Sequence, residues 1–317
     1  MLSRRFLRIK VFQALYSYFQ SEDKNMKNLE SEAFLSLERM HDLYLFLLIL
    51  GQELAHIANL KMEEAKKKRL PTEDDLSPNT KFVDNKLFDL LAVNTSLNKQ
   101  IKDKKLFWSN DQELIVKFSS FLRNHDVYKQ YMLTSASTFK EDQKFVVDIY
   151  KKVIPEFDLL ISELQDKSIF WGYDEIDFVL SMVIKSIKHF SVKSTVSEKI
   201  LPLYRDIKED KQFVKDLLKK VVANDKKNSN LIAAKTKNWD VDRIAMVDIL
   251  LMKMALTELI HFKSVPVKVT LNEYIELSKW YSTPKSKAFV NGVLDKLVTE
   301  LKEKGELKKA GRGLLEN

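Results

Sequence analysis

The chain has 317 residues, a formal net charge of +8, no cysteine, and only six glycines and six prolines. Tight turns and positive-φ positions depend on glycine, and proline marks strand edges and loops, so this composition disfavours sandwiches, barrels and Rossmann sheets. The six glycines have neither the spacing of a dinucleotide-binding motif nor that of a P-loop. A content of 45% hydrophobic and 31% charged residues predicts a soluble, nearly all-α protein.

The N-terminal part of the chain has the pattern of two long helical stretches. Residues 2–20 carry apolar side chains at helical spacing, which predicts a first helix. A second helical stretch follows over residues 29–68 and ends in a charged run. Pro71 and Pro78 then bracket the polar segment PTEDDLSP, and two prolines around polar residues predict a linker.

The middle of the chain shows shorter helical patterns. Several occupy residues 81–166, where Thr138 and Glu141 have the spacing of a capping box. Residues 175–190 have the pattern of another buried helix, and residues 208–223 predict a further one. The middle therefore has the composition of a folded helical region.

The last hundred residues carry the clearest helix signals. Residues 239–261 are almost continuously apolar, which predicts a central helix that is buried on most sides. Thr270 and Glu273 have the spacing of a second capping box at the start of the next helix. A final helix is predicted over residues 286–304, with Gly305 as its C-terminal cap and a polar tail up to residue 317.

Three glutamate–histidine pairs have the three-residue spacing found in di-iron carboxylate bundles. They are Glu38 with His41, Glu53 with His56, and Glu258 with His261. On one helix Glu38 and Glu53 would stand about 22 Å apart, too far for a single site. We therefore predict no metal and no cofactor. Because no nucleophile elbow or H-E-x-x-H motif occurs either, we predict that the protein is not an enzyme.

The longest apolar run, residues 43–50, is far shorter than the roughly 20 residues that span a bilayer. The basic, amphipathic N-terminus is similar to a targeting peptide, but Lys10 and Gln13 interrupt its apolar part and no small-residue cleavage site follows. We predict no membrane association and a cytoplasmic location.

The first helix carries three arginines on one arc. With Arg4 at the origin of a helical wheel, Arg8 falls at about 40° and Arg5 at about 100°, whereas Lys10 lies at about 240°. Guanidinium groups bind phosphates bidentately and stack on bases, so this cluster suits single-stranded or looped RNA. The alternative is a solvated basic face on an otherwise apolar helix.

Four segments together resemble one family. SRRFLRIKVFQALYSY (residues 3–18) is similar to the arginine-rich opening helix of the NusB family of bacterial transcription antitermination and termination factors. NWDVDRIAMVDILLMKMALTEL (238–259), VPVKVTLNEYIELSKWYS (265–282) and KSKAFVNGVLDKL (285–297) follow in the order and spacing of that family's last helices. The linked order of these segments makes a chance similarity improbable.

The resemblance implies two packed three-helix bundles and a non-enzymatic RNA-binding function. It also implies binding of boxA-type RNA together with NusE, a ribosomal small-subunit protein, and an indirect association with the RNA polymerase elongation complex. The matched domain is expected at residues 1–20 and 206–303, with a helical insertion at 21–205 and a polar tail at 304–317. An interaction protein or an accessory of RNA modification, without catalysis, is the alternative.

The resemblance also implies which residues contact RNA. Arg4, Arg5 and Arg8 match the family's motif arginines and are the expected RNA contacts, with Lys10 and Gln13 as weaker ones. Phe6 stands where many members have another basic residue, so RNA affinity is expected to be reduced or supplied from elsewhere.

Four further residues are expected to contact the protein partner. Tyr16 matches the tyrosine of the family's QALY string, and Asp248 falls at an acidic position of the central helix. Core packing is the alternative for Tyr16. Lys285 and Lys287 lie where the family's surface reaches its partner.

Other matched residues are expected to be structural. Ser286 lies between those two lysines and is expected to cap the last helix. Phe289 and Val290 are expected in the core, and Gly292 is expected to allow close helix packing.

Overall fold

The computed structural model describes residues 3–236 and 245–314. Within these ranges it contains α-helices and short 3-10 or π turns but no strand, which confirms the predicted all-α fold. The chain divides into two compact units. One comprises residues 38–203, and the other comprises the N-terminal segment up to Leu37 together with residues 204–317.

In chain order, the helices are α1 (Arg4–Gln20), α2 (Met26–Leu48), α3 (Leu50–Lys66), α4 (Glu73–Leu76), α5 (Lys86–Ala92), α6 (Thr95–Lys104), α7 (Gln112–Asn124), α8 (Asp126–Tyr131), α9 (Phe139–Asp148), α10 (Asp158–Lys167), α11 (Tyr173–His189), α12 (Ile207–Ala223), α13 (Asp225–Lys235), α14 (Met246–His261), α15 (Val267–Tyr281) and α16 (Ser286–Glu303).

The unit formed by residues 38–203 has an aromatic core. The indole of Trp108 stacks on the ring of Phe46 with centroids 3.7 Å apart, and its N–H donates to the Phe46 carbonyl at 3.0 Å. Helix α3 packs against α5 and α7, while α9 packs against α5 and α11. Gly51 permits the contact between α3 and α5, because a Cβ there would lie 2.3 Å from the ring of Phe88.

The sequence predictions for this unit have two outcomes. The capping box of Thr138 and Glu141 is confirmed at the start of α9. The linker predicted between the two prolines is wrong, because the segment contains α4, a short helix that packs on α3. Thr72 and Asp75 form a reciprocal capping box there, so local hydrogen bonds order a segment that composition alone marks as a linker.

The second unit, which comprises residues 2–37 and 204–317, is organised around α14. Leu251, Met254 and Ala255 of this helix are completely buried, and α12, α13, α15 and α16 all pack against it. Helix α1 packs against α12 and α14, burying Leu7 and Val11. The predicted central helix is thus confirmed from Met246 onward, and its expected start at Trp239 falls outside the described residues.

Predictions about the ends of the last helices have mixed outcomes. Gly305 follows α16 with a left-handed φ of +66°, and the N–H of Glu306 donates to the carbonyl of Leu301, so the predicted glycine cap is confirmed. The cap predicted at Ser286 is wrong, since this residue is already inside α16 and Lys285 precedes it. The close packing predicted at Gly292 is also wrong, because a Cβ there would meet no atom within 4 Å.

The capping box predicted for Thr270 and Glu273 is wrong. Helix α15 begins at Val267, directly after Pro266, so both residues lie inside the helix. Their side chains make tertiary contacts, Thr270 with Glu258 and Glu273 with Arg5. The spacing is that of a capping box, but distant partners use both side chains.

Helices α2 and α3 together form one long apolar stretch. The segment Met26–Lys66 is long and apolar enough to cross a membrane. In its most apolar stretch of 18 residues, 67% is buried inside the structure. A buried core helix of a soluble protein has the same properties, so this stretch is weak support for a membrane span.

A buried histidine makes the stability of the 38–203 unit sensitive to acid. His41 stacks on Tyr44, and its Nε2 has no hydrogen-bond partner among the residues described. Burial, together with the charge of Lys104, lowers its pKa from 6.5 to about 4. Below pH 6.5 the unfolded chain therefore binds a proton that the native state does not, and stability is lost as the pH falls towards 4.

We predict that His41→Gln flattens this pH dependence. Relative to the variant, the natural protein should lose up to about 3 kcal/mol of unfolding free energy between pH 7 and pH 4. Urea titrations across this range measure the difference, and His56→Gln, at an exposed position, is the control. Parallel pH profiles for the natural protein and His41→Gln would contradict the assignment.

Candidate functional site

The candidate site is an open cleft of about 860 Å³ in the second unit. Its walls come from the first turns of α1, from α12, and from the connection between α14 and α15. The lining residues are Ser3, Arg4, Arg5, Arg8, Glu209, Gln212, Phe213, Asp216, Phe262, Ser264, Val265, Pro266, Val269 and Glu273. The three arginines predicted to share one face of the first helix therefore do share one wall of a cleft.

Arg8 lies at the base of the cleft in a buried ion pair. Its Nε and Nη2 donate to the two carboxylate oxygens of Glu258 at 2.8 and 2.7 Å. The side chains are 3% and 0% exposed, so the pair is removed from water. This bidentate contact joins α1 to α14 across 250 residues of sequence.

Glu258 has further hydrogen-bond donors from α15. The hydroxyls of Thr270 and Tyr274 donate to its two oxygens at 2.9 and 3.2 Å. Burial alone would lower the pKa of Arg8, but the charge and hydrogen bonds of Glu258 raise it above its ordinary value. Burial and the same carboxylate raise the pKa of Tyr274. Arg8 therefore stays charged and Tyr274 stays a neutral donor.

Arg5 makes the corresponding contact nearer the surface. Its Nε and Nη2 donate to Glu273 of α15, both at 2.9 Å. The Arg5 side chain is 47% exposed, and its hydrogen bond to Glu273 raises its pKa. Glu273 also lies 3.7 Å from Nη1 of Arg8, so one carboxylate holds two of the three guanidinium groups.

Arg4 faces α12 on the other side of the cleft. Its Nε lies 3.1 Å from Asp210 and its Nη2 lies 2.8 Å from Glu209. Its guanidinium carbon is 4.5 Å from the centroid of the Phe213 ring, the geometry of a cation–π contact. The Arg4 side chain remains 33% exposed.

Lys10 and Gln13, the weaker RNA candidates, do not line the cleft. Lys10 is 2% exposed, and its Nζ donates to the side-chain oxygen of Gln13 at 2.9 Å. The Nζ of Lys10 lies 5.8 Å from the centroid of the Phe6 ring, which belongs to the preceding turn of the same helix. Their RNA-binding role stays a prediction.

The predicted partner-binding residues lie elsewhere in the same unit. Tyr16 is exposed, with its ring 6.2 Å from that of Phe12. Asp248 is buried and accepts a hydrogen bond from Ser286 at 2.7 Å. Its second oxygen has no hydrogen-bond partner within the described part of the chain.

Lys285 and Lys287 are exposed on either side of Ser286. The residues that follow α16 return towards the end of α14. Phe289 is half-buried and Val290 fully buried, so Val290 is in the core as predicted.

The sequence did not reveal which carboxylates pair with the three arginines. Glu209, Asp210, Glu258 and Glu273 hold the arginines, but each is more than 200 residues from its partner. No local spacing reveals such pairs. One signal was present for Glu258, because an acidic residue in an otherwise apolar helix needs a partner.

The comparisons with known proteins bear on the segment that builds most of this site. The NusB family model matches residues 178–299. A protein of Geobacter sulfurreducens named transcription antitermination protein NusB is 37% identical over 95 residues, which cover 30% of this chain and 69% of the relative. This chain belongs to the NusB family.

Two further NusB proteins agree with this assignment. The Chloroherpeton thalassium protein is 42% identical over 123 residues, covering 38% of this chain and 58% of the relative. The Salinibacter ruber protein is 41% identical over 105 residues, covering 33% of this chain and 66% of the relative. The chain thus spans less than two thirds of the length of these two. No solved structure matches the chain.

The family match begins at residue 178, far along the chain from the N-terminal helix, but the two segments pack together in the structure. Helix α1 lies outside residues 178–299 but packs on α12 and α14, which lie within them. The arginines of α1 form ion pairs with carboxylates of α12, α14 and α15. The cleft is therefore built jointly by the N-terminal helix and the matched NusB segment.

We predict that removing one partner of the buried pair unfolds the protein more readily. Arg8→Met should cost about 3 to 5 kcal/mol of stability, because it leaves the Glu258 carboxylate buried without its counter-charge. Arg5→Met removes a half-exposed pair and should cost at most about 1 kcal/mol. Denaturant titrations of both variants measure the difference.

The double variant Arg8→Met with Glu258→Gln provides the control. It removes both charges and keeps an acceptor oxygen for one of the two hydroxyls, while the other hydroxyl can accept from the new amide N–H, so the double variant should recover much of the stability lost in Arg8→Met. Equal stability losses in Arg8→Met and Arg5→Met would contradict the structural role of the buried pair.

Proposed function

We propose that this NusB-family chain is a non-enzymatic transcription antitermination factor that binds boxA-type RNA at the cleft of α1. The observation that carries the proposal is the pair of partly exposed guanidinium groups, Arg4 and Arg5, on one wall of an open cleft. Such groups recognise phosphate through planar donor pairs. The names of the three relatives support antitermination as the process.

The distribution of charge supports RNA binding by the second unit. Its residues, 2–37 and 204–317, include 29 Lys and Arg and 20 Asp and Glu, a net charge of +9. The unit formed by residues 38–203 has 24 basic and 25 acidic residues. The whole positive excess therefore belongs to the unit with the cleft, and positive charge favours association with a polyanion.

The three arginines have different proposed roles. Arg4 and Arg5 contact phosphates, since both guanidinium groups reach the cleft. Arg8 is a positioning residue, because its guanidinium is used by Glu258 and it is 2% exposed. Lys10 and Gln13 lie outside the cleft, and we keep them as weaker RNA contacts than Arg4 and Arg5.

We further propose that the second unit binds the ribosomal protein NusE through a surface separate from the cleft. Tyr16, Lys285 and Lys287 belong to this surface, and the buried Asp248 supports it through its hydrogen bond with Ser286, between the two lysines. The other oxygen of Asp248 has no hydrogen-bond partner among the residues that the structure describes, and a buried carboxylate oxygen is costly unless a donor reaches it, which supports a role in partner binding. The assembly joins the RNA polymerase elongation complex in the cytoplasm through these partners.

We propose that residues 21–205 are a helical insertion into the RNA- and partner-binding domain of residues 1–20 and 206–303, with residues 304–317 as a polar tail. The compact unit of residues 38–203 lies within the proposed insertion. Its nearly neutral charge supports a role other than phosphate binding.

We predict that Arg4→Ala and Arg5→Ala each weaken binding of boxA RNA about three- to tenfold, because each removes a charge-assisted phosphate contact. The fluorescence anisotropy of labelled boxA RNA, measured at two salt concentrations with and without NusE, tests this. Lys99→Ala, which removes one exposed charge from the other unit, should leave affinity unchanged.

The salt dependence gives a second readout of the same variants. The slope of log affinity against log salt should be shallower in both arginine variants and unchanged in the lysine variant. Equal, weak binding of boxA and scrambled RNA by the natural protein, both with and without NusE, would contradict the proposed function.

We predict that Tyr16→Ala and Asp248→Asn weaken NusE binding but leave binding of RNA by the isolated chain unchanged. Both residues lie outside the cleft, and the second change keeps the size of the side chain. Isothermal titration with NusE measures the first effect and RNA anisotropy the second. Unchanged NusE affinity in both variants would refute the partner surface.

A further inference from the structure

The partners of Arg4 differ sharply in burial. Asp210 is 5% exposed, and its other oxygen accepts the backbone N–H groups of Arg205 and Asp206 at 2.9 and 3.2 Å. Glu209 is 57% exposed and contacts Nη2 of Arg4 at 2.8 Å. One carboxylate is thus part of the framework, while the other lies on the open side of the cleft.

Local structure places Glu209 where it meets Arg4. The residue lies in the first turn of α12, and the side chain of Asp206 caps this helix by accepting the N–H of Glu209 at 2.9 Å. An acidic side chain in the first turn is stabilised by the helix dipole. The Phe213 ring supports the guanidinium of Arg4 from one face. Arg4 is therefore held in a fixed orientation with its outward donor on Glu209.

A carboxylate and a phosphate use the same donors of a guanidinium group. Each of them presents two oxygens that can accept a pair of parallel N–H groups from one guanidinium. An RNA phosphate that approaches Arg4 from the cleft therefore meets a donor that Glu209 already uses. A phosphate that takes this donor displaces the carboxylate, and the negative charge of Glu209 opposes a phosphate at the remaining donors of Arg4.

We propose that Glu209 is an intramolecular competitor of the RNA phosphate at Arg4 and sets the RNA affinity of the cleft. The inference rests on the proposed function for its RNA ligand. A phosphate contact carries no base information, so the competition reduces affinity for every RNA sequence by the same factor. The ratio between boxA and scrambled RNA is left to contacts elsewhere.

Glu209→Gln tests the proposal because it removes the negative charge and keeps the size of the side chain. Affinity for boxA and for scrambled RNA should each increase about two- to fivefold at low salt, in the upper part of the range expected for releasing one exposed ion pair. The gain should shrink as salt screens the carboxylate. Anisotropy titrations of both RNAs measure it.

Asp216→Asn is the matched control. Asp216 lines the same cleft from the same helix, but its ion pair is with Lys220 at 3.8 Å. The Asp216→Asn variant loses the same charge but releases no arginine, so it should raise RNA affinity less than Glu209→Gln does. In an Arg4→Ala background, Glu209→Gln should have no effect, which gives the coupling between the two residues directly.

A second titration does not depend on RNA. Inorganic phosphate is added to the full chain, and the side-chain resonance of Arg4 Nε is followed by NMR. The resonance should shift at lower phosphate concentration in Glu209→Gln and in Glu209→Ala than in the natural protein or in Asp216→Asn. Circular dichroism checks that both Glu209 variants keep their helices.

The outcomes separate the two proposals. If the Arg4 resonance responds to phosphate more readily in the Glu209 variants, but neither the natural protein nor any variant binds RNA, the competition is supported and the proposed function is refuted. RNA binding that Glu209→Gln changes no more than Asp216→Asn, or that it still changes in the Arg4→Ala background, would overturn the competition and leave the proposed function standing.

Discussion

The buried ion pair between Arg8 and Glu258 is the contact on which the cleft depends. It joins the first helix to the central helix of the C-terminal segment across 250 residues of sequence. Thr270 and Tyr274 complete the hydrogen bonding of the carboxylate, so three helices meet at one charged group. Since an unpaired charge at this depth is strongly unfavourable, the pair fixes the rotation of α1 and thereby the direction in which Arg4 and Arg5 point.

The three arginines differ in how far they are buried and in how exposed their carboxylate partners are. Arg8 is buried, Arg5 is half-exposed and held by a partly buried carboxylate, and Arg4 has one buried and one exposed partner. The same carboxylates that orient these groups also neutralise much of their charge. In the proposed function, the orientation of these donors and the net positive charge of the unit both favour phosphate binding, and in the proposed competition Glu209 controls the access of phosphate to Arg4.

Much of the fold follows from the sequence, because apolar periodicity and rare glycines depend only on neighbouring residues. The first helix, the apolar central helix and the Gly305 cap are of this kind. The helical wheel also placed Arg4, Arg5 and Arg8 on one face. Tertiary contacts explain the errors: Thr270 and Glu273 have the spacing of a cap, but Glu258 and Arg5 use their side chains.

The burial of Arg8 was beyond prediction for the same reason. Its partner is a glutamate in an apolar helix far along the chain, and no spacing rule connects the two. The family resemblance identified the arginines as a group, but only the packing of α1 on α14 distinguishes the buried Arg8 from the partly exposed Arg4 and Arg5.

The most direct test of this account is an NMR titration of the full chain with boxA RNA that follows the side-chain Nε resonances of its arginines. The account predicts that the Arg4 and Arg5 resonances shift with RNA, while the Arg8 resonance stays in place and protected from exchange with water. Shifts at Arg8 with Arg4 and Arg5 unchanged, or shifts confined to residues 38–203, would contradict it.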